Sequence, residues 1–324
     1  MVAEDDNDLE GSGKQESAGT IAFGDSETRA GFTALIGAPN AGKSTLTNRL
    51  VGTKVSIVTR KVQTTRSRIR GIAIFDKTQI IFVDTPGIFA PRKRLDRAMV
   101  NAAWGGAADA DMVVLLVDAQ RGVSADVAEI LKRLKDSHYP AVLAVNKIDL
   151  MKREELLELT AKLTEEVKFE EVFFISAETG EGTSELVEYL KSHLPLGPWL
   201  YPEDQLTDAP MRHTAAEITR EKLYHRLHDE IPYATTVETI DWKENKKNGS
   251  IRVEQVIYVE RDSQKKIVLG KNGSAIKAIS MASRKELGDI LGVPVHLFLF
   301  VKVRERWGDD PERYREMGLD YPTK

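Results

Sequence analysis

The sequence predicts an α/β fold over residues 30–196, a mostly parallel sheet with helices on both faces, and a smaller α+β unit over residues 212–306. Three observations carry that reading. Met112–Val117 and Ala141–Val145 are continuous apolar runs, the pattern of parallel strands covered on both faces rather than the alternation of a half-exposed sheet. A glycine-containing loop, residues 37–44, stands between the apolar stretch Phe32–Ile36 and a helical stretch, Lys43–Leu50. Beyond residues 194–202, where prolines and a glycine stop any helix, the pattern changes to helix, strand, strand, helix, helix, strand.

A length of 324 residues suits two domains with tails. The absence of cysteine excludes disulfides and thiolate metal sites. The longest apolar runs, near Met112–Val117 and Val293–Val301, are strand-length and far short of the roughly 20 residues that span a bilayer. Residues 1–29 carry Glu4, Asp5, Asp6, Asp8, Glu10, Glu16, Asp25 and Glu27 against only Lys14 and Arg29, with almost nothing apolar, and are expected to be a disordered acidic tail. The start has neither the basic, apolar look of a secretion signal nor the basic look of a transit peptide, so a cytoplasmic address is expected. Residues 197–211 are read as a linker, with Trp199 and Tyr201 packing between the domains, and 307–324 as a carboxyl-terminal tail.

The chemistry of the first unit follows from four elements in order. Gly37, Ala38, Pro39, Asn40, Ala41, Gly42, Lys43 and Ser44, with Thr45 behind them, form a strand-to-helix loop whose N–H groups can surround phosphate oxygens. Lys43 is expected on the β- and γ-phosphates and Ser44 on Mg²⁺. Asp84, Thr85, Pro86 and Gly87 end an apolar strand; Asp84 is placed to hold Mg²⁺ through a water, and the Gly87 N–H to bond the γ-phosphate. Between these lies the polar run Val62–Arg68, in which Thr64 or Thr65 completes the metal shell when γ-phosphate is present, with Thr65 favoured. Asn146, Lys147 and Asp149 follow a strand: the Asp149 carboxylate can accept from guanine N1–H and N2–H₂ together, which adenine cannot match, and the Lys147 stem can lie along the purine. Ser176, Ala177 and Glu178 end the next strand, where their backbone can meet guanine O6. GTP and GDP are therefore the expected ligands.

With these motifs in order the chain resembles a translation-factor-class, P-loop GTPase. Asn40, the run Gln63–Arg66 and the segment Asp118–Gly122 resemble the Era branch in particular. Where many GTPases carry a water-orienting glutamine after the aspartate-glycine turn, this chain has Ile88. The resemblance implies instead that Asn40 helps hold a monovalent cation, so slow, K⁺-stimulated hydrolysis is expected, with Asn40, Lys43, Thr65 and Gly87 as the catalytic set.

In the second unit Gly270, Lys271, Asn272 and Gly273 stand at a helix start, where two glycines let the backbone approach a sugar-phosphate chain. The loop and the element order resemble a KH domain of the bacterial kind, type II. From Arg261 to Lys285 seven basic residues cluster around it: Arg261, Lys265, Lys266, Lys271, Lys277, Arg284 and Lys285. Bases are expected to lie against Ile267 and Val268.

A GTPase domain followed by one KH domain resembles the Era family, which acts in assembly of the small ribosomal subunit. The resemblance implies a cytoplasmic monomer whose KH domain binds the 3′ end of small-subunit ribosomal RNA and so the 30S subunit, with peripheral membrane association at the inner face left open. The alternatives are a constitutive RNA-binding module with a structural nucleotide site, and a KH fold turned to a protein or a lipid headgroup.

Overall fold

The computed structural model describes residues 27–322; the acidic segment up to residue 26 lies outside them. The first unit runs β1 (Arg29–Ile36), α1 (Lys43–Val51), β2 (Ile69–Phe75), β3 (Thr78–Asp84), α2 (Arg94–Ala108), β4 (Met112–Asp118), α3 (Ala125–Lys135), β5 (Ala141–Asn146), α4 (Arg153–Glu166), β6 (Val172–Ile175) and α5 (Thr183–His193). Its sheet has the order β2-β3-β1-β4-β5-β6, parallel throughout except that edge strand β2 runs antiparallel to β3. The continuous apolar runs become fully buried strands: every residue of β4 and β5 is buried, with one apolar cluster against each face. This layering leaves the carboxyl ends of β1, β3, β4, β5 and β6 in one row, where an open α/β sheet binds its ligand.

The second unit runs α6 (Met211–Arg226), β7 (Thr235–Glu244), β8 (Ile251–Val259), α7 (Asp262–Leu269), α8 (Ser274–Leu291) and β9 (Val295–Val303), followed by α9 (Pro311–Glu316). Its sheet is β7-β8-β9, antiparallel then parallel. Two apolar clusters join α6 and α8 to the sheet.

Two expectations about the connections are corrected. Trp199 and Tyr201 do not pack between the domains: the linker lies along the first unit, where Trp199 Nε1 donates to Lys77 O, Gln79 is bonded to Leu200 and Tyr201, and Ile72 N donates to Leu206 O. Nor are residues from 307 onward a free tail. Trp307, Tyr314 and Leu319 are buried against Leu95 and Met99 of α2, and Trp307 Nε1 donates to Ala234 O at 2.9 Å, so this segment joins the two units.

Candidate functional site

A cleft of about 850 Å³ opens at the carboxyl ends of the strands. Of the expected residues, Pro39, Asn40, Gly42, Lys43, Ser44, Thr45, Thr64, Thr65, Gly87, Asn146, Lys147, Asp149, Ala177 and Glu178 line it. Gly37, Ala38, Ala41, Asp84, Thr85, Pro86 and Ser176 are not among its lining residues; Ala38, Ala41, Asp84, Thr85, Pro86 and Ser176 are buried.

The loop folds as it does because of its glycines and one asparagine. Gly42 takes φ +103°, and a Cβ there would stand 2.2 Å from Asn146 Nδ2. Gly87 packs against Pro39, whose Cα would be 2.9 Å from an added Cβ, so the strand-end turn rides directly on the loop. Asn146 is 1% exposed and wires the site together: its Nδ2 donates to Ala41 O at 2.7 Å and its Oδ1 accepts from Ala177 N at 2.9 Å. It therefore fixes the phosphate loop relative to the loop at Ala177, and the neighbouring Asp149 is exposed at the cleft. Lys147, with a left-handed φ of 69°, bonds Asp118. Thr85 gives its hydroxyl to Leu35 O, which makes it a support of the turn.

The donor set for a divalent cation is converged. Ser44 Oγ lies 2.6 Å from Asp84 Oδ2 and 2.9 Å from Thr65 Oγ1, and Ser56 Oγ donates to the same carboxylate oxygen. The other oxygen, Oδ1, is buried with no hydrogen-bond partner. Burial raises the Asp84 pKa, opposed by Ser44 and Lys43, so a cation beside this carboxylate would relieve an unfavourable buried charge. These residues fit Mg²⁺. Of the two threonines, Thr65 points there, while Thr64 turns its hydroxyl to Thr59 Oγ1 and Lys61 O. Lys43 Nζ donates to Gly37 O and Ala38 O, at 3.0 and 3.1 Å, and burial lowers its pKa to about 8 despite Asp84. Ile88 is buried and offers no polar atom, whereas Asn40 Nδ2 donates to Arg60 O at 3.0 Å.

Sequence reasoning passed over several residues. Arg49, on α1, donates to Ala177 O at 2.6 Å and to Glu178 O, shaping the base loop. Asp118 receives Lys147, and Gln120, Arg121 and His225 line the cleft. Asp118, Gln120 and Arg121 lie in the Asp118–Gly122 segment that carried the resemblance but was given no role in the site; Arg49 and His225 carry no local signal.

In the second unit Ile267 to Leu269 form the last turn of α7, so the glycine loop joins two helices. Gly270 has φ +73° and a Cβ there would meet Ala275 N at 2.8 Å; Asn272 and Gly273 are left-handed at φ 52° and 74°. Lys266, Lys271, Asn272 and Lys277 are exposed and Lys265 half-buried. Ile267 is 50% exposed and borders a groove of about 790 Å³ with Ala275, Ala278 and Ile279 of α8 and His225, Leu227 and His228 from the end of α6. Val268 is a correction: it is fully buried in the core with Leu223 and Ile257. On a helix, adjacent residues face about 100° apart, so only one of the pair can face a base.

Fold and cleft define a P-loop GTPase carrying a carboxyl-terminal KH domain. Residues 32–147 match the 50S ribosome-binding GTPase family and residues 230–308 the KH domain. GTPase Era of Sinorhizobium medicae is 66% identical over 91% of this chain and 95% of its own length, and that of Agrobacterium fabrum 66% over 91% and 93%. A crystal structure of Era in complex with MgGDPNP and nucleotides 1506–1542 of 16S ribosomal RNA superposes with a TM-score of 0.86 at 38% identity, covering 90% of this chain and 99% of that one. A variant of Aquifex aeolicus Era bound to GDP·AlF4⁻ gives 0.85, with the same identity and coverage. The chain belongs to the Era GTPase family; it binds and hydrolyses GTP.

Proposed function

We propose that this GTPase is a nucleotide-driven switch whose KH domain binds the 3′ end of 16S ribosomal RNA during assembly of the 30S subunit. One observation supports the coupling: residues 54–66, the segment that includes Thr65, are bonded along their length to the KH domain. Val58 N donates to Glu221 Oε1 at 2.9 Å, Lys61 Nζ to Leu227 O at 2.8 Å, and Arg66 Nη1 to Thr235 O at 2.9 Å. Lys54 bridges Glu221 of α6 and Glu286 of α8. His225 borders both the nucleotide cleft and the groove beside the glycine loop. A segment that orders around a γ-phosphate therefore moves the wall of the RNA groove with it.

In this reading Gly37 to Thr45 hold the phosphates, Asp149 with Lys147 selects guanine, and Ser44, Thr65 and Asp84 hold Mg²⁺, which supplies positive charge at the β- and γ-oxygens when bound. Lys265, Lys266, Lys271 and Lys277 meet RNA phosphates, Gly270, Asn272 and Gly273 give the close backbone approach, and Ile267 supports a base. Lys271→Ala and Gly273→Asp are expected to weaken binding of a 16S 3′-end oligonucleotide while leaving GTP hydrolysis intact; RNA binding indifferent to both would assign the KH domain another partner. The protein acts as a cytoplasmic monomer. The same lysines would meet acidic headgroups in peripheral membrane association, and sedimentation with anionic vesicles, with and without RNA, separates the two.

Asn40 supports a monovalent-cation site, because its Nδ2–H bond to the Arg60 carbonyl fixes the side-chain amide at the cleft, and its Oδ1 is a neutral oxygen of the kind K⁺ accepts. GTP hydrolysis is expected to be faster in K⁺ than in Na⁺, with the difference lost in Asn40→Asp. Equal rates in the two salts would remove Asn40 from the catalytic set.

A further inference from the structure

Arg220 belongs to α6 of the KH domain, yet its guanidinium serves the GTPase domain. It is 1% exposed. Nη1 donates to Gln63 O at 3.4 Å and Nη2 to Thr64 O. Nε donates to Glu217 Oε1 at 2.7 Å, and Nη2 also reaches the second oxygen of that carboxylate. The Tyr224 ring lies beneath, 5.1 Å from the guanidinium carbon. The next residue along the chain from these two carbonyls is Thr65, whose Oγ1 faces Ser44 and Asp84. Arg66, beyond it, is fixed by the same domain: Nη2 donates to Tyr224 OH at 3.0 Å, and the group stands 5.4 Å from the Trp307 ring.

We infer that Arg220 is a positioning residue for GTP hydrolysis: the KH domain, through this side chain, holds the main chain at Gln63 and Thr64 so that Thr65 meets the metal site. The inference rests on the reading of Thr65 as a metal ligand. An ion pair between a buried guanidinium and a half-buried carboxylate is weak evidence of stabilisation, and what this one does is fix the orientation of the guanidinium. Here Glu217 holds the guanidinium from one side, and its free edge grips two carbonyls through charge-assisted bonds. Residues 58–64 are polar or half-exposed, with little packing of their own to hold that course. The GTPase domain thus borrows part of its active geometry from its neighbour, and RNA seated on the KH domain has a direct route to the rate of hydrolysis.

The test uses the full chain carrying Arg220→Met, Arg220→Lys or Thr65→Ala, with three readings: single-turnover GTP hydrolysis, its Mg²⁺ dependence, and affinity for a fluorescent GDP. Arg220→Met is expected to hydrolyse GTP about tenfold to a hundredfold more slowly, the scale of an ångström-level misplacement, and to need more Mg²⁺ for half its maximal rate. GDP affinity should hold, because loops outside the gripped segment bind the base and diphosphate. Lysine keeps the charge without the planar fork, so Arg220→Lys should restore little. An unchanged rate and Mg²⁺ requirement in both Arg220 variants overturns the inference, as does GDP affinity falling in step with rate, which marks a merely structural role. If Thr65→Ala hydrolyses normally, the metal reading itself has failed; if it is slow while the Arg220 variants are normal, only the positioning role has failed. An Arg220→Met chain that does not fold is replaced by Glu217→Gln, which frees the guanidinium from its carboxylate at constant volume, and the same readings decide.

Discussion

At the scale of single residues, the site is a set of buried charges waiting for a ligand of opposite arrangement. Lys43 and Asp84 are both fully enclosed, and burial disfavours the charged form of each, lowering the lysine to about 8 and raising the aspartate. The consequence for Lys43 has a definite sign. In the empty protein the lysine releases its proton near pH 8, whereas nucleotide phosphates beside Nζ favour the ammonium form. Binding therefore takes up a proton at alkaline pH, and GDP affinity should be flat near neutrality and fall above about pH 8, by at most about tenfold per pH unit. Titration calorimetry in buffers of different ionisation enthalpy checks both the fall and the proton uptake. At this scale the sequence was most legible where chemistry demands a residue type at a strand end or helix start, and the structure gathers such residues: Lys43, Ser44 and Asp149 line one cleft, with Asp84 bonded to Ser44. Asn146 makes two amide bonds, to Ala41 and Ala177, that join segments far apart in the chain, which no local pattern records. The directions of the neighbouring Thr64 and Thr65 hydroxyls are likewise not legible in sequence.

At the scale of elements, the buried parallel strands and the glycine loops were readable, because continuous apolar runs and positive-φ turns leave marks in a single stretch of sequence. Less readable was anything decided by a partner element. Edge strand β2 and helix α2 were not anticipated, and the segment from Trp307 onward carries its apolar residues too sparsely to announce that it clamps α2. The pair Ile267 and Val268 shows the same limit: a loop reading gave both to RNA, whereas helix α7 turns one out and one in. Val268→Ala is expected to cost about 2 kcal/mol, from two lost methyl groups and the cavity left behind, without a specific effect on RNA contacts. Ile267→Ala should leave the melting temperature near that of the parent and weaken RNA binding. Thermal melts beside oligonucleotide titrations of the two variants check the assignment, and the reverse pattern would place the groove on the other side of the helix.

At the scale of the whole molecule, the two domains meet through the apolar packing of Trp307, Tyr314 and Leu319 on α2 and through polar bonds gathered on one segment of the GTPase domain, residues 54–66. In the proposed switch, the row of directional bonds to a segment that reorders with γ-phosphate is made or broken with it. The half-buried carboxylate of Glu217 and the Lys54 bridge to Glu221 and Glu286 keep charge at the boundary, and the packed carboxyl-terminal segment keeps the domains within reach of one another. The formal charge of −4 says little about this, because it averages over the chain while the basic residues that would face RNA are concentrated around one loop. The most direct measurement is the affinity of the full chain for a 16S 3′-end oligonucleotide, at one fixed salt concentration, with GDP and with a non-hydrolysable GTP analogue. The coupling described here predicts markedly tighter binding with the analogue; equal affinity in the two states, or in the absence of any nucleotide, would contradict it.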